Sequence, residues 1–165
     1  MNFKIFSDIM EALFTYTRIT SSYETTPRTY GTEDFLYQTD VHVLQAIANN
    51  PGVNLNELAD MTYRTKSAMS VLIKSLVEKG LVERKRDERD NRRYIITLTE
   101  KGMLVNQFHE KLDERNFKSL LECMLEKEDI SIEDLKSTLK VLNALNKEMH
   151  DIHNLKKGSN CSSNK

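Results

Sequence analysis

Four side chains with metal-binding chemistry stand at separate points of the sequence. His109 and Asp113 are four residues apart, so a helix places them on one face. His42 falls in another predicted helix, and Glu24 falls in the loop before it. Imidazole nitrogens and carboxylate oxygens together suit Zn²⁺ and also other divalent ions. Spacing alone fits a solvated helix face equally well, so both interpretations stay open at this point.

A second chemistry comes from an uneven distribution of charge. The 165 residues carry a net charge of −1, but residues 61–93 hold ten Lys and Arg against five Asp and Glu, a net +5. The rest of the chain holds fourteen Lys and Arg against twenty Asp and Glu, a net −6. Such segregation aims one surface at a polyanion while the rest repels it. The alternative is an ordinary solvated face.

Other classes of protein find less support. The sequence contains no Ser, His and acid arrangement and no glycine-rich phosphate loop, which argues against an enzyme. A zinc hydrolase built on the four metal-binding side chains would leave the basic segment unexplained. Cys123 and Cys161 are too few and too distant for a disulfide framework, and Cys123 lies on an apolar helix side, which disfavours redox sensing. No apolar run exceeds three residues, so we expect a cytoplasmic protein without a membrane helix.

Helical periodicity predicts the elements before the basic segment. Apolar residues recur at steps of three and four from Phe3 to about Ile19. Residues 20–33 are rich in Ser and Thr and predict a loop. Helical spacing resumes from Leu36 to Asn49 and ends before Pro51, because proline disfavours helix in the residue before it.

The basic segment predicts a short helix, a turn, a longer helix and a hairpin. Asn54 and Glu57 resemble a capping box, residues 62–65 form a polar turn, and the longer helix spans residues 66–79 before Gly80. Residues 81–86 and 94–98 predict two strands. This order is that of a winged helix-turn-helix, whose second helix fits the major groove of DNA. The predicted contacts are Thr65, Lys66, Ser67, Ser70, Lys74, Arg84, Arg86, Arg89 and Arg92.

Charges alternate in the hairpin connection, which reads RKRDERDNRR from residue 84 to residue 93. Asp87 and Asp90 are predicted to brace it through Asp to Arg pairs and to leave one arginine free for the minor groove. A salt-bridged hairpin tip without a DNA role is the alternative.

Two further helices follow the hairpin, with caps predicted at Thr99 and at Ser131 with Asp134. They and the first helix carry more apolar surface than one small winged domain covers, which predicts a symmetric dimer. A single-chain helical cap is the alternative. We therefore expect a mainly α fold, a winged helix-turn-helix with a two-stranded β wing and a helical dimerisation region. Residues 1–155 form the domain, with the DNA-binding head at about 53–100, dimerisation helices at about 1–20 and 100–155, and a disordered tail at 156–165.

The segment from Asn54 to Gly102 resembles the DNA-reading head of the MarR family of bacterial transcription regulators. Its most specific pieces are GLVER at 80–84, DERDNRR at 87–93 and LTEKG at 98–102. The resemblance implies a recognition helix at 66–79, a wing at 81–98, a wing pair of Asp90 and Arg92, and Arg89 in the minor groove. Val71 stands where many relatives carry a basic or polar residue. Family membership implies a homodimer on a palindromic operator, with heads roughly 34 Å apart.

The zinc-responsive branch of this family looks similar around Glu24, His42 and His109, and usually has histidine where this chain has Asp113. The resemblance implies a Zn²⁺ or other divalent metal corepressor of a DNA-binding repressor. An organic ligand in an apolar cleft is the alternative switch, with Tyr23, Tyr30, Phe35 and Tyr37 as its lining. A winged-helix adaptor that binds protein instead of DNA is the alternative from another class.

Overall fold

The computed structural model of the protein describes residues 3–87 and 93–160, with side chains described as far as residue 152. It divides into two compact units, Met1–Asp113 and Glu114–Lys165. The helices are α1 (Phe3–Glu24), α2 (Gln38–Asn49), α3 (Leu55–Met61), α4 (Lys66–Glu78), α5 (Glu100–Lys127) and α6 (Ile132–Asn160). The strands are β1 (Arg28–Thr29), β2 (Phe35–Leu36), β3 (Val82–Arg86) and β4 (Tyr94–Leu98). The predicted mainly α fold with a winged helix-turn-helix is confirmed.

The wing is a two-stranded antiparallel sheet. Val82 pairs with Leu98 at its base, and Arg86 pairs with Tyr94 at the last described register position. Within the described ranges, no helix is long and apolar enough to span a membrane.

The first helix extends further than its apolar pattern predicts. It ends at Glu24 rather than near Ile19, and hydroxyl side chains in its last turns donate to carbonyls of the same helix, a bond that a helix tolerates. Thr20 donates to Tyr16 O at 3.0 Å, and Ser21 donates to Arg18 O at 2.8 Å. The prediction of a loop from residue 20 is therefore wrong for residues 20–24, and Glu24 belongs to a helix.

A small hairpin occupies part of the remaining predicted loop. Arg28 pairs with Leu36 and Thr29 with Phe35. Strands of two residues are too short to show alternation, so the sequence pattern did not predict them. Because Leu36 belongs to β2, α2 begins at Gln38, two residues later than predicted. Asp40 accepts a hydrogen bond from the backbone N–H of Tyr37 at that start, at 3.0 Å.

The predicted helix caps are present. Asn54 Oδ1 accepts from the backbone N–H groups of Asn56 and Glu57, and Glu57 Oε2 accepts from Asn54 N at 2.9 Å. Thr99 Oγ1 accepts from Gly102 N at 3.0 Å at the start of α5. Each of these bonds satisfies a backbone donor that a helix leaves open in its first turn.

The core of the first unit lies among α2, α3, α4 and the wing. Helix α4, the second helix of the helix-turn-helix, buries Met69, Ile73 and Leu76 at helical spacing. Leu81 and Ile96 cover the same core from the wing side. One face of α4 is thereby fixed inward, so the opposite face must point to solvent.

A glycine allows α5 to start close to the wing. A Cβ on Gly102 would stand 2.0 Å from Leu81 O, which no side chain can occupy. The backbone N–H of Thr99 donates to that same carbonyl at 3.1 Å. The wing base and the first turn of α5 are therefore in direct backbone contact.

The second unit exposes its apolar side chains. No described side chain from residue 114 to residue 152 is buried. Large apolar residues exposed there include Phe117, Leu120, Ile132, Leu139 and Met149. The last helix continues to Asn160, past Lys156 where the sequence predicts the tail to begin. Cys161 lies outside the described residues.

Candidate nucleic-acid interface and metal centre

The outward face of α4 combines small hydroxyl side chains with two lysines. Thr65 is the N-cap, and its hydroxyl oxygen accepts from Ala68 N at 3.1 Å. All the predicted contact residues on this helix are exposed, namely Lys66, Ser67, Ser70 and Lys74. Val71 is 71% exposed beside them. A slim, basic and hydroxyl-rich helix face has the chemistry that reads a DNA major groove.

Lys74 forms a weak ion pair on this face. Lys74 Nζ stands 3.9 Å from Glu78 Oε1, but both side chains are largely exposed. Exposed pairs of this kind are weak and are readily exchanged for a phosphate partner.

The wing presents two arginines on one side of strand β3. Arg84 and Arg86 are exposed and two residues apart, so they share a face of the sheet. Arg86 lies over the Tyr94 ring at 5.7 Å from its centroid. Arg84 lines an open groove together with Ser70 and Lys74 of α4. The groove therefore connects Lys74 of the helix with Arg84 of the wing, and Glu78 and Glu83 also line it.

The hairpin tip carries three predicted site residues that lie outside the described residues, which are Arg89, Asp90 and Arg92. The described part of the connection ends at Asp87, whose backbone N–H donates to Arg93 O at 3.0 Å. Its carboxylate lies 3.9 Å from Arg93 Nε. Asp87 is therefore near an arginine, although a different one from the predicted wing pair.

Arg93 has a structural role that the sequence does not predict. Its Nη2 lies 2.9 Å from each carboxylate oxygen of Glu57 and 3.1 Å from Gly52 O. Glu57 thus caps α3 and holds the wing base at once. No local signal marks this pair, because the two residues are far apart in the sequence.

Two lysines hold the C-terminal end of α4. Lys79 Nζ donates to Phe35 O at 3.1 Å, and Lys101 Nζ donates to Lys79 O at 2.8 Å. Lys101 also pairs with Asp34 at 2.8 Å, and its hydrogen bond holds the pKa of the Asp34 carboxyl below the ordinary value. No local pattern in the sequence marks these residues. They fix the end of the helix to β2 and α5.

Three of the four predicted metal ligands come together in the first unit. Donor atoms of His42, His109 and Asp113 all lie within 4.8 Å of one another. His109 Nε2 is 3.4 Å from Asp113 Oδ2, and the two imidazole rings are 5.3 Å apart between centroids. Glu24, exposed at the end of α1, is not one of this group.

His109 has a buried imidazole without a hydrogen-bond partner on either nitrogen. Only 2% of the residue is exposed, and its contact with Asp113 does not have the alignment of a hydrogen bond. Burial lowers the pKa of His109, with His42 acting in the same direction and Asp113 against it. A neutral ring nitrogen beside a carboxylate offers two lone-pair donors to one cation. The donor set therefore fits a divalent metal of the zinc type.

Aromatic residues predicted to line an organic-ligand cleft have different environments. Tyr30 is buried and meets His109 edge to face, with ring centroids 5.8 Å apart. Burial raises the pKa of Tyr30. Tyr23, Phe35 and Tyr37 are exposed.

Taken in chain order, α3, the turn, α4 and the β3–β4 hairpin define a winged helix-turn-helix protein. Residues 37–93 match the model of a family described as "MarR family". This segment, 57 of the 165 residues, is similar to that family.

Three relatives illustrate the likeness. The transcriptional regulator SarZ of Staphylococcus haemolyticus is 34% identical over 70 residues, which are 42% of this chain and 48% of SarZ. The match thus spans about half the length of that relative. Streptococcus pneumoniae FabT, solved in complex with DNA, has a TM-score of 0.64 at 21% identity, over 91% of this chain and 99% of FabT. The zinc-responsive Lactococcus lactis ZitR has a TM-score of 0.61 at 20% identity, over 88% of this chain and 99% of ZitR. At these identities the solved structures establish the fold.

Proposed function

We propose that the protein is a cytoplasmic, sequence-specific DNA-binding transcriptional regulator that acts as a homodimeric repressor. One observation carries the DNA-binding function. The face of α4 opposite buried Met69, Ile73 and Leu76 is hydroxyl-rich and basic, and it continues through a groove to Arg84. The presence of DNA in the FabT structure supports the same function for this fold.

In this proposal the helix and the wing have different tasks. Ser67 and Ser70 meet base edges or phosphates, while Lys66 and Lys74 attract phosphates and Val71 packs against a thymine methyl. Arg84 and Arg86 continue the phosphate contacts along the wing. Arg89 is the proposed minor-groove residue, and Asp87, Asp90 and Arg92 are the proposed braces of the hairpin.

The proposed dimer follows from the uncovered apolar surface. No described residue of α1 is buried, and α6 exposes Ile132, Leu139 and Met149. A second copy of the chain covers such stripes symmetrically. Two heads then bind a palindromic site with half-sites about one helical turn apart.

DNA binding is tested by selection from a random duplex pool, followed by affinity measurements on the recovered duplex over a range of salt. We expect the affinity to fall steeply with salt, because each phosphate contact releases counterions. Lys74→Glu and Arg89→Glu abolish binding in this proposal. Lys136→Glu, the same change at an exposed lysine on α6, leaves it intact. An adaptor would instead show no preferred duplex.

We propose further that a divalent metal, with Zn²⁺ the first candidate, acts as corepressor at His42, His109 and Asp113. The buried, unpartnered imidazole of His109 is the observation that favours it. When bound, the ion would supply a positive charge between the His109 ring and the Asp113 carboxylate, which lie in contact without a hydrogen bond. Glu24 is the proposed fourth ligand. The similar fold of the zinc-responsive Lactococcus lactis ZitR supports this choice of metal.

The ligands connect α2, which supports the head, with α5. A metal there favours the DNA-competent arrangement only to the extent that it binds that arrangement more tightly. Linkage then requires DNA to tighten metal binding by the same factor. The corepressor function is tested by measuring the DNA affinity with and without metal and the metal affinity with and without DNA. If an organic inducer were the switch instead, the two affinities would be uncoupled.

Native mass spectrometry with and without added zinc tests the site itself. We expect one ion per chain in the unmodified protein and none in a variant with both His109→Ala and Asp113→Ala. His150→Ala, which removes a histidine outside the cluster, is the matched control. Glu24→Gln measures the contribution of the fourth ligand. No uptake by the unmodified protein would refute the metal function.

A further inference from the structure

The turn between α3 and α4 contains a tyrosine in a backbone conformation that bulky residues avoid. Tyr63 has a φ of +54°, in the left-handed region. It follows the C-cap residue Thr62 of α3. Tyr63 N donates to Asp60 O at 3.2 Å, and Arg64 N donates to Ala59 O at 2.8 Å. These two bonds form a Schellman motif, in which the left-handed position is usually glycine.

The same chain ends its next helix with the same motif and the usual residue. At the end of α4, Gly80 has a φ of +69°, Gly80 N donates to Val77 O at 2.9 Å, and Leu81 N donates to Leu76 O at 2.9 Å. The left-handed position is thus occupied by glycine after α4 and by tyrosine after α3. The geometry itself does not require an aromatic side chain.

The side chain of Tyr63 does not recover the strain through burial, since the residue is 63% exposed. Strained residues persist where the surrounding structure holds them, and they concentrate at functional sites. Most of the tyrosine side chain is thus on the surface of the head.

That surface adjoins the start of the recognition helix. Tyr63 stands two residues before the N-cap Thr65 and three before exposed Lys66. N-terminal residues of such a helix enter the major groove, so the residues just before them meet the phosphates along its edge. A tyrosine hydroxyl is one of the groups that commonly donate to DNA phosphates. Arg64 and Lys66, which both follow Tyr63 in the sequence, add positive charge to this segment.

We propose that the Tyr63 hydroxyl donates a hydrogen bond to a backbone phosphate at the edge of the major groove that α4 enters. This inference rests on the proposed DNA-binding function and adds a contact residue to it. The contact fixes the register of the helix on the duplex and is neutral, unlike the lysine contacts.

Two variants at this position separate the hydroxyl from the strain. Tyr63→Phe keeps the ring and the strained backbone and removes only the hydroxyl. Tyr63→Gly removes the strain together with the side chain. Asp129→Gly is the matched control, because Asp129 has a φ of +53° in the connection between α5 and α6, outside the head.

Affinity is measured on the duplex that the unmodified protein selects from a random pool, at several salt concentrations, and Tm is measured on the free protein. We expect Tyr63→Phe to lower the affinity about tenfold at every salt concentration, because a hydrogen bond to a charged group is lost. The salt slope should stay unchanged, since a neutral donor releases no counterion. Tyr63→Gly should raise Tm and should lower the affinity for the duplex at least as much as Tyr63→Phe does. Asp129→Gly should raise Tm alone.

An affinity of Tyr63→Phe equal to that of the unmodified protein would overturn this inference and leave the proposed DNA-binding function intact. A lower Tm in Tyr63→Gly would overturn it as well, since the tyrosine would then be stabilising the fold. Failure of the unmodified protein to select any duplex would overturn the proposed function and this contact together.

Discussion

Arg93 and Glu57 form an ion pair in which one guanidinium nitrogen, Nη2, lies 2.9 Å from both carboxylate oxygens. The pair connects the base of the wing to the first turn of α3. The same carboxylate accepts from Asn54 N, so it serves the cap and the wing together.

Removing Glu57 should therefore destabilise the protein more than a surface ion pair would. We expect Glu57→Ala to lower the free energy of unfolding by about 2 kcal/mol, because it removes the capping bond and leaves Arg93 without its main partner. Arg93→Ala should cost about 1 kcal/mol, since both side chains are partly exposed. Urea unfolding of both single variants and the double variant measures the coupling. Strictly additive losses would contradict the pairing.

The Asp34 carboxyl should make stability depend on pH. The hydrogen bond from Lys101 lowers the pKa of Asp34 in the folded protein. The pair therefore stabilises the fold above the unfolded-state pKa of about 4, and this stabilisation is lost as the pH falls through the folded-state pKa. We expect Asp34→Asn to be less stable than the unmodified protein at pH 7 and to approach it in acid. Urea unfolding over this pH range is the measurement, and Glu133→Gln on exposed α6 is the control. A difference independent of pH would exclude this origin.

The proposed dimer places a charge-sensitive apolar contact on α6. Leu139 is 58% exposed in the chain and belongs to the apolar stripe of that helix. We expect Leu139→Lys to shift the protein toward monomer, because a desolvated ammonium group opposes association. Sedimentation analysis measures the shift. Val71→Lys adds the same charge at an exposed apolar residue of α4 and should leave the dimer unchanged, whereas equal dissociation in both variants would argue against the contact.

The close approach of Gly102 to Leu81 should make α5 intolerant of any side chain there. We expect Gly102→Ala to destabilise the protein by about 2 kcal/mol or more, although alanine favours helices, because the new Cβ would overlap a backbone carbonyl. Thermal unfolding measures this loss. The neighbouring Met103→Ala, at an exposed position, should change Tm little.

Local signals account for the parts of the fold that the sequence predicts well. The capping box at Asn54, the caps at Thr99 and Ser131, and the apolar spacing of Met69, Ile73 and Leu76 all act within a few residues of chain. For that reason the helix-turn-helix and the wing could be predicted with nearly the observed bounds. The end of α1 could not, because its serine and threonine side chains bond to their own helix instead of breaking it.

Contacts between distant parts of the chain explain what the sequence missed at the candidate sites. Spacing alone suggests that His109 and Asp113 share a face, but the burial of His109 depends on packing that brings α2 to α5. The pairing of Arg93 with Glu57 and the lysine contacts at the end of α4 depend on the folded arrangement in the same way. The left-handed backbone of Tyr63 has no signal in the sequence, because the usual glycine is absent.

The contacts of Lys79 and Lys101 have a mechanical consequence for α4. Its C-terminal end is tied to β2 and α5, while its other end begins at an exposed turn. A small rigid rotation of α4 would therefore pivot about its C-terminal end, where these contacts hold it. The helix is ~20 Å long, and the displacement grows with distance from that end. Lys66 therefore moves further than Lys74, and the first turn of the helix adjusts most to the shape of its target.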